Sequence, residues 1–187
     1  MRKDEKQKDF ETLCMALREA YINYKINDLM HKELKSSDER YARFKEYWLY
    51  ILRSTQFFYL SRLAAVFAKP EEKSVTIYNF LDYEFDEFKE SLDALKRLRN
   101  KYLAHLDVQK TRELNSFLKK FEKELQREKF GEIFTKLIEK IAELWDKYGD
   151  KEKVPDIKSN IEAAALVAEE KFRSLYLFLS ASNSGQK

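Results

Sequence analysis

The chain predicts an all-α fold, an antiparallel bundle of about five or six helices, and three observations carry that reading. Three glycines and two prolines in 187 residues are too few for the tight turns that strands and hairpins need. Apolar residues recur at i, i+3, i+4 and i+7 in stretch after stretch, which is the period of one helix face. Charged residues, 37% of the chain, fill the positions between, so each helix has a wet side and a dry side.

The first helix is predicted from Phe10, Leu13, Cys14, Leu17, Tyr21 and Tyr24, running toward Leu34. It stops at Ser36-Ser37-Asp38, whose side chains suit the cap of a following helix. That second helix carries Tyr41, Phe44, Tyr47, Trp48, Ile51 and Leu52, continues through Phe58 to about Phe67, and is ended by Pro70. From Glu71 to Tyr83 the period breaks, and SVTIYNF reads as a connection containing a short extended piece or a helical turn. The third helix runs through Phe85, Phe88, Leu92, Leu95 and Leu98. Leu114, Phe117, Leu118, Phe121 and Leu125 mark a fourth. The fifth, from Phe130 through Ile133, Phe134, Leu137, Ile138, Ile141, Leu144 and Trp145 to Tyr148, has the cleanest stripe and stops at Gly149-Asp150. Its stripe resembles a heptad seam, but a core inside one chain explains it equally well. After Val154-Pro155-Asp156 a last helix passes through Ile161, Ala164, Val167, Ala168, Phe172, Leu175 and Leu179.

With 44% hydrophobic and 14% aromatic residues the chain can bury one sizeable core. No fixed-period repeat or low-complexity linker divides it, so residues 1–180 are expected as a single helical domain and 181–187 as a disordered tail. The 36 basic and 33 acidic residues leave a net charge of +3, so any polyanion site must be local. A single cysteine, Cys14, excludes an intrachain disulfide and reads as a buried thiol in a reducing, cytoplasmic protein. The opening MRKDEKQKDF has no apolar stretch behind it and no run spans a bilayer, so no membrane association is expected. His31 has no second ligand at metal spacing, and no Gly-rich phosphate loop, nucleophile elbow or HExxH pair occurs. Neither a metal nor a cofactor is expected.

The residues that carry chemistry lie in LKRLRNKYLAHLD. Arg99, Asn100 and His105 follow the third amphipathic stripe, at or near the end of its helix. Cutting RNA without a metal needs a base for the ribose 2′-OH, a cation for the crowded phosphate and an acid for the leaving oxygen. The imidazole of His105 titrates near working pH and suits either proton role. Arg99 offers a planar, permanent charge that can grip two phosphate oxygens, and Asn100 could orient either group. Lys96, Arg97 and Lys101 would line the substrate path, extended by Lys110, Arg112, Lys119, Lys120 and Lys123. Asp93, Glu113, Glu122 and Glu124 weaken that field. On one unbroken helix six residues advance roughly 9 Å and turn the two side chains about 120° apart. Arg99 and His105 can therefore converge only if the helix ends between them, or if two copies share a cleft about a two-fold axis.

An arginine, a polar residue and a histidine at this spacing, in an all-helical chain, resemble the signature of the HEPN superfamily. The ending YLAHLD looks like its abortive-infection AbiU-type branch. The resemblance implies a small helical fold, a homodimer with the motif at its interface, metal-independent endoribonuclease activity and a role as a toxin or phage-defence effector. An antitoxin or other regulatory protein would then be a further partner. HEPN toxins controlled by a nucleotidyltransferase carry a tyrosine two residues after the histidine, and here Leu106 and Asp107 stand in its place. Asp107 could instead orient His105 or cap the next helix. Read without the resemblance, His105 caps a helix terminus and the lysines and arginines form a solvated face, which suits a non-catalytic helical module binding RNA or a protein.

Overall fold

Every residue of α1 (Lys3–Glu33) from Ala20 to His31 is at least partly covered, because other helices pack on several sides of it. The computed structural model describes residues 3–33, 45–69, 74–82, 85–98 and 127–181. Among them the chain is all-α. α2 (Lys45–Val66), α3 (Lys89–Leu98), α4 (Arg127–Tyr148) and α5 (Ile157–Ala181) complete a helical bundle with no strand among the described residues. α1 packs against α2, α4 and α5, while α3 packs against α2.

Side-chain pairs fix the directions. Asn27 meets Leu52 and Thr55, and Glu19 meets Arg62 at 3.1 Å, so α1 and α2 run antiparallel. Phe10 lies against Trp145 and Tyr148 while Tyr24 lies 5.0 Å from Phe134, so α1 and α4 are antiparallel as well. One contiguous core draws on all five helices, with Phe10, Leu17, Leu60, Leu63, Leu95, Ile133, Phe134, Leu137 and Ile141 at its centre. The fifth stripe of the sequence faces that core. Its residues Phe130, Ile133, Phe134, Leu137, Ile138, Ile141 and Trp145 are all buried, which settles the seam as intramolecular packing.

Boundaries differ from the sequence expectation where local chemistry outweighs periodicity. α1 begins seven residues before Phe10, with Asp4 and Glu5 in the first turn, where carboxylates favour the positive end of a helix. Phe88 ends a 3-10 turn, Asp86–Phe88, that leads into α3, and Phe85 stands at the N-cap of that turn. Both rings are buried, so their helical spacing reported burial correctly but not helix type. The connection contains the helical turn, Ile77–Asn79, in which the Thr76 N–H donates to Asn79 Oδ1 at 2.7 Å. The Ser36-Ser37-Asp38 cap, the Leu114–Leu125 stripe and residues 182–187 lie outside the described residues.

The α4–α5 connection is tied at both ends. The Trp145 indole N–H donates to the Val154 carbonyl at 2.9 Å, and a Cβ at position 149 would run into that pinned ring, so Gly149 suits the close approach. Asp156 caps α5, accepting from the Ser159 N–H at 3.1 Å and the Ser159 hydroxyl at 2.7 Å. The two Ser159 bonds hold its carboxyl below the ordinary carboxylate range.

Candidate functional site

α3 is ten residues long and strongly amphipathic. Ser91, Leu92, Ala94 and Leu95 are buried on one side, and Asp93 and Arg97 are exposed on the other. The helix is anchored further by Phe85, whose ring stands edge-on to Phe67 at 5.0 Å. Burial of one face therefore fixes which residues α3 delivers to solvent at its C-terminal end, the end from which the motif continues.

Two of the sequence-predicted substrate residues stand there. Lys96 is half-buried and its ammonium lies 3.5 Å from Asp93, a long, solvent-screened pair that contributes little to stability. Arg97 is exposed and makes no ion pair to any other described residue, so its guanidinium is available to a ligand. Arg99, Asn100, Lys101, His105 and Asp107 lie outside the described residues, as do Lys110, Arg112, Lys119, Lys120 and Lys123. The structure thus brings Lys96 and Arg97 to one helix end, three and two residues before Arg99 in the chain.

Sequence reasoning missed the cleft beside this helix end. It has a volume of about 400 Å³ and an apolar floor that includes Phe67, Tyr78, Leu81 and Leu92. Lys69, Lys89, Lys96, Asp82, Asp86 and Asp93 form its rim. A signal was present in the sequence: Asp82, Asp86, Lys89, Asp93 and Lys96 are spaced by four, three, four and three residues, a charged stripe at helical period. Three carboxylates interleaved with three ammonium groups make a mixed field, more selective for ligands bearing both signs than for a bare polyanion.

Cys14 borders a second, smaller cavity of about 180 Å³ between α1 and the α4–α5 connection, with Met15, Trp145 and Ile157 among its walls. Burial, with a smaller contribution from Glu11, pushes the thiol up to about 12, so it stays protonated and unreactive at neutral pH. Cys14 is the buried thiol that its apolar neighbours predicted. Among the described residues no group of three or more His, Cys, Asp or Glu side chains is placed to hold a metal ion, and no helix is long and apolar enough to cross a membrane.

No family model matches the chain, and neither a curated protein nor a solved structure matches it.

Proposed function

We propose that the chain is a metal-independent endoribonuclease of the HEPN type, acting in the cytoplasm as a toxin or phage-defence effector. The observation that carries the reading is the run Arg99-Asn100, four residues, His105, placed directly after a helix whose inner face is locked into the core. In this reading His105 takes the 2′-OH proton, Arg99 holds the phosphate as charge builds on it, and Asn100 orients one or the other. The oxygen so activated attacks the adjacent phosphorus, and a protonated imidazole returns the proton to the departing 5′ oxygen, leaving a 2′,3′-cyclic phosphate. Arg97, exposed and without an ion pair among the described residues, guides the RNA backbone together with Lys96 and Lys101. A homodimer that pairs two motifs would supply base and acid from different copies, and an antitoxin or other regulatory protein would hold the enzyme in check.

The rim of the adjacent cleft favours a second reading. Asp82, Asp86 and Asp93 stand among its lysines and repel phosphate, so a non-catalytic helical module that binds a protein of mixed charge also fits this surface.

Both readings face one assay. Wild type, Arg99→Ala and His105→Ala are incubated with single-stranded RNA in EDTA, and product ends are mapped. The nuclease reading expects cyclic-phosphate ends from wild type and a loss of at least about a hundredfold in each variant, the usual contribution of one acid–base or charge-stabilising group. No cleavage by wild type, or equal cleavage by both variants, sinks it and leaves the binding module.

A further inference from the structure

The mixed-charge cleft beside α3 has depth as well as a rim. Its volume of about 400 Å³ falls in the range of roughly 300–1,000 Å³ that small-molecule sites occupy. Phe67 and Phe85, both buried, meet edge-on at 5.0 Å in its lining, and the half-buried Tyr78 ring lies 6.3 Å from Phe67. Rings that hold one another in place form a firm apolar base on which a further flat ring can lie.

Above that base the charges come from four places in the chain. Lys69 lies just past α2, Asp82 after the Ile77–Asn79 turn, Asp86 in the turn before α3 and Lys89 at the first position of α3. All four are exposed, and none makes an ion pair with another described residue. Lys96 and Asp93, which also line the cleft, do pair, at 3.5 Å. The rim therefore keeps two ammonium groups and two carboxylates that do not neutralise one another. A ligand of one sign is attracted by two of them and repelled by the other two, whereas a ligand carrying both signs can face each with its opposite.

We infer that this cleft binds a small zwitterion with a flat aromatic body, the chemistry of a free aromatic α-amino acid. Its ring lies on the aromatic base, its ammonium faces Asp82 and Asp86, and its carboxylate faces Lys69 and Lys89. The inference goes beyond both readings of function and rests on neither, because Arg99, Asn100 and His105 take no part in it and the occupant is a small molecule rather than RNA or a protein surface. Ion pairs at an open rim are screened by water, so binding is weak, with a Kd of about a millimolar.

Amide chemical shifts of the full chain, followed by NMR during titration to about 10 mM ligand, test it across such a Kd. Four probes share one ring: L-tryptophan carries both charges, tryptamine the ammonium alone, indole-3-propionate the carboxylate alone and indole neither. L-tryptophan is expected to shift the amides around the cleft, and the other three to bind about tenfold more weakly. Two variants of exposed rim residues, Lys89→Gln and Asp86→Asn, are each expected to weaken L-tryptophan about threefold at unchanged helix content by circular dichroism. They should act oppositely on the single-charge probes, Lys89→Gln favouring tryptamine and Asp86→Asn favouring indole-3-propionate, a crossed pattern that a merely structural role would not produce. Absence of shifts at the cleft with L-tryptophan would overturn the inference and leave this surface to a protein partner. Equal binding of all four probes would also overturn it, since the rim would then be a solvated face over a plain apolar groove, as would variants that affect every probe alike. No arm uses RNA, so failure here and failure of the nuclease assay are distinguishable.

Discussion

At the scale of single residues, Cys14 shows how burial sets chemistry. Leu13 and Leu17 beside it in sequence placed it on a buried stripe, and the structure seats it 3% exposed against the α4–α5 connection. Its folded pKa is about 12 against an ordinary value of 9.0, so the folded state holds the proton more tightly than the unfolded chain. The sign follows from proton counting. This contribution to stability is complete below 9.0 and is lost as pH rises from 9.0 toward 12, because only the unfolded chain gains the thiolate there. Thiol titration with an aromatic disulfide at pH 8 should show almost no reaction in native protein and one equivalent after denaturation. Cys14→Ala should flatten the alkaline fall in denaturation midpoint relative to wild type. Rapid native modification at pH 8 would contradict the buried position. By contrast, Arg99, Asn100 and His105 are a candidate set offered by the sequence alone, lie outside the described residues, and by their spacing on a helix do not say whether they converge. Convergence depends on where a helix stops or on a second copy, and neither is written in local periodicity.

At the scale of elements, helices and buried faces were legible because apolar spacing reports burial directly, as the α4 stripe shows. Polar ties between helices were not, since a lone asparagine in a helix carries no period. Asn27 is the instructive case. It is 2% exposed, and its side-chain amide donates to the Leu52 carbonyl at 2.8 Å and the Thr55 hydroxyl at 3.1 Å. Thr55 in turn donates to Ile51 and Leu52 carbonyls at 3.0 Å, so α1 is registered against α2 by a small polar network inside an apolar contact. Asn27→Ala removes the donor, leaves a gap and should cost about 1–3 kcal/mol in urea unfolding. Asn27→Asp should cost at least as much at neutral pH, because a carboxylate offers no hydrogen to the Leu52 carbonyl. If neither variant moves the urea midpoint, the network does not hold the two helices in register. The mixed-charge cleft was missed for a related reason. Its floor and rim come from the residues just past α2, the connection after them and α3 together, and no single element carries the pattern alone.

At the scale of the whole molecule, stability and any nucleic-acid binding respond to different forces, and salt separates them. The core is apolar and aromatic, while ion pairs such as Arg62–Glu19 and Lys151–Asp146 are solvent-exposed. Screening such pairs removes little, so Tm should move by no more than a few degrees between roughly 50 and 500 mM NaCl. RNA binding, if the site at the end of α3 is a phosphate path, must behave otherwise. Each phosphate neutralised on a single strand contributes a log–log salt slope of about −0.7. The net charge of +3 is too small to provide this from a global field, so the slope must come from local cations. Arg97 is the best-placed test residue, being exposed, unpaired among the described residues and outside the proposed catalytic set. Arg97→Ala should leave Tm unchanged, weaken binding of a short unstructured RNA in fluorescence anisotropy, and lower the slope by about one phosphate's share. A salt-independent affinity, or an unchanged slope in the variant, would remove Arg97 from the RNA path. It would then favour the Asp-bearing cleft as a surface for a protein of mixed charge.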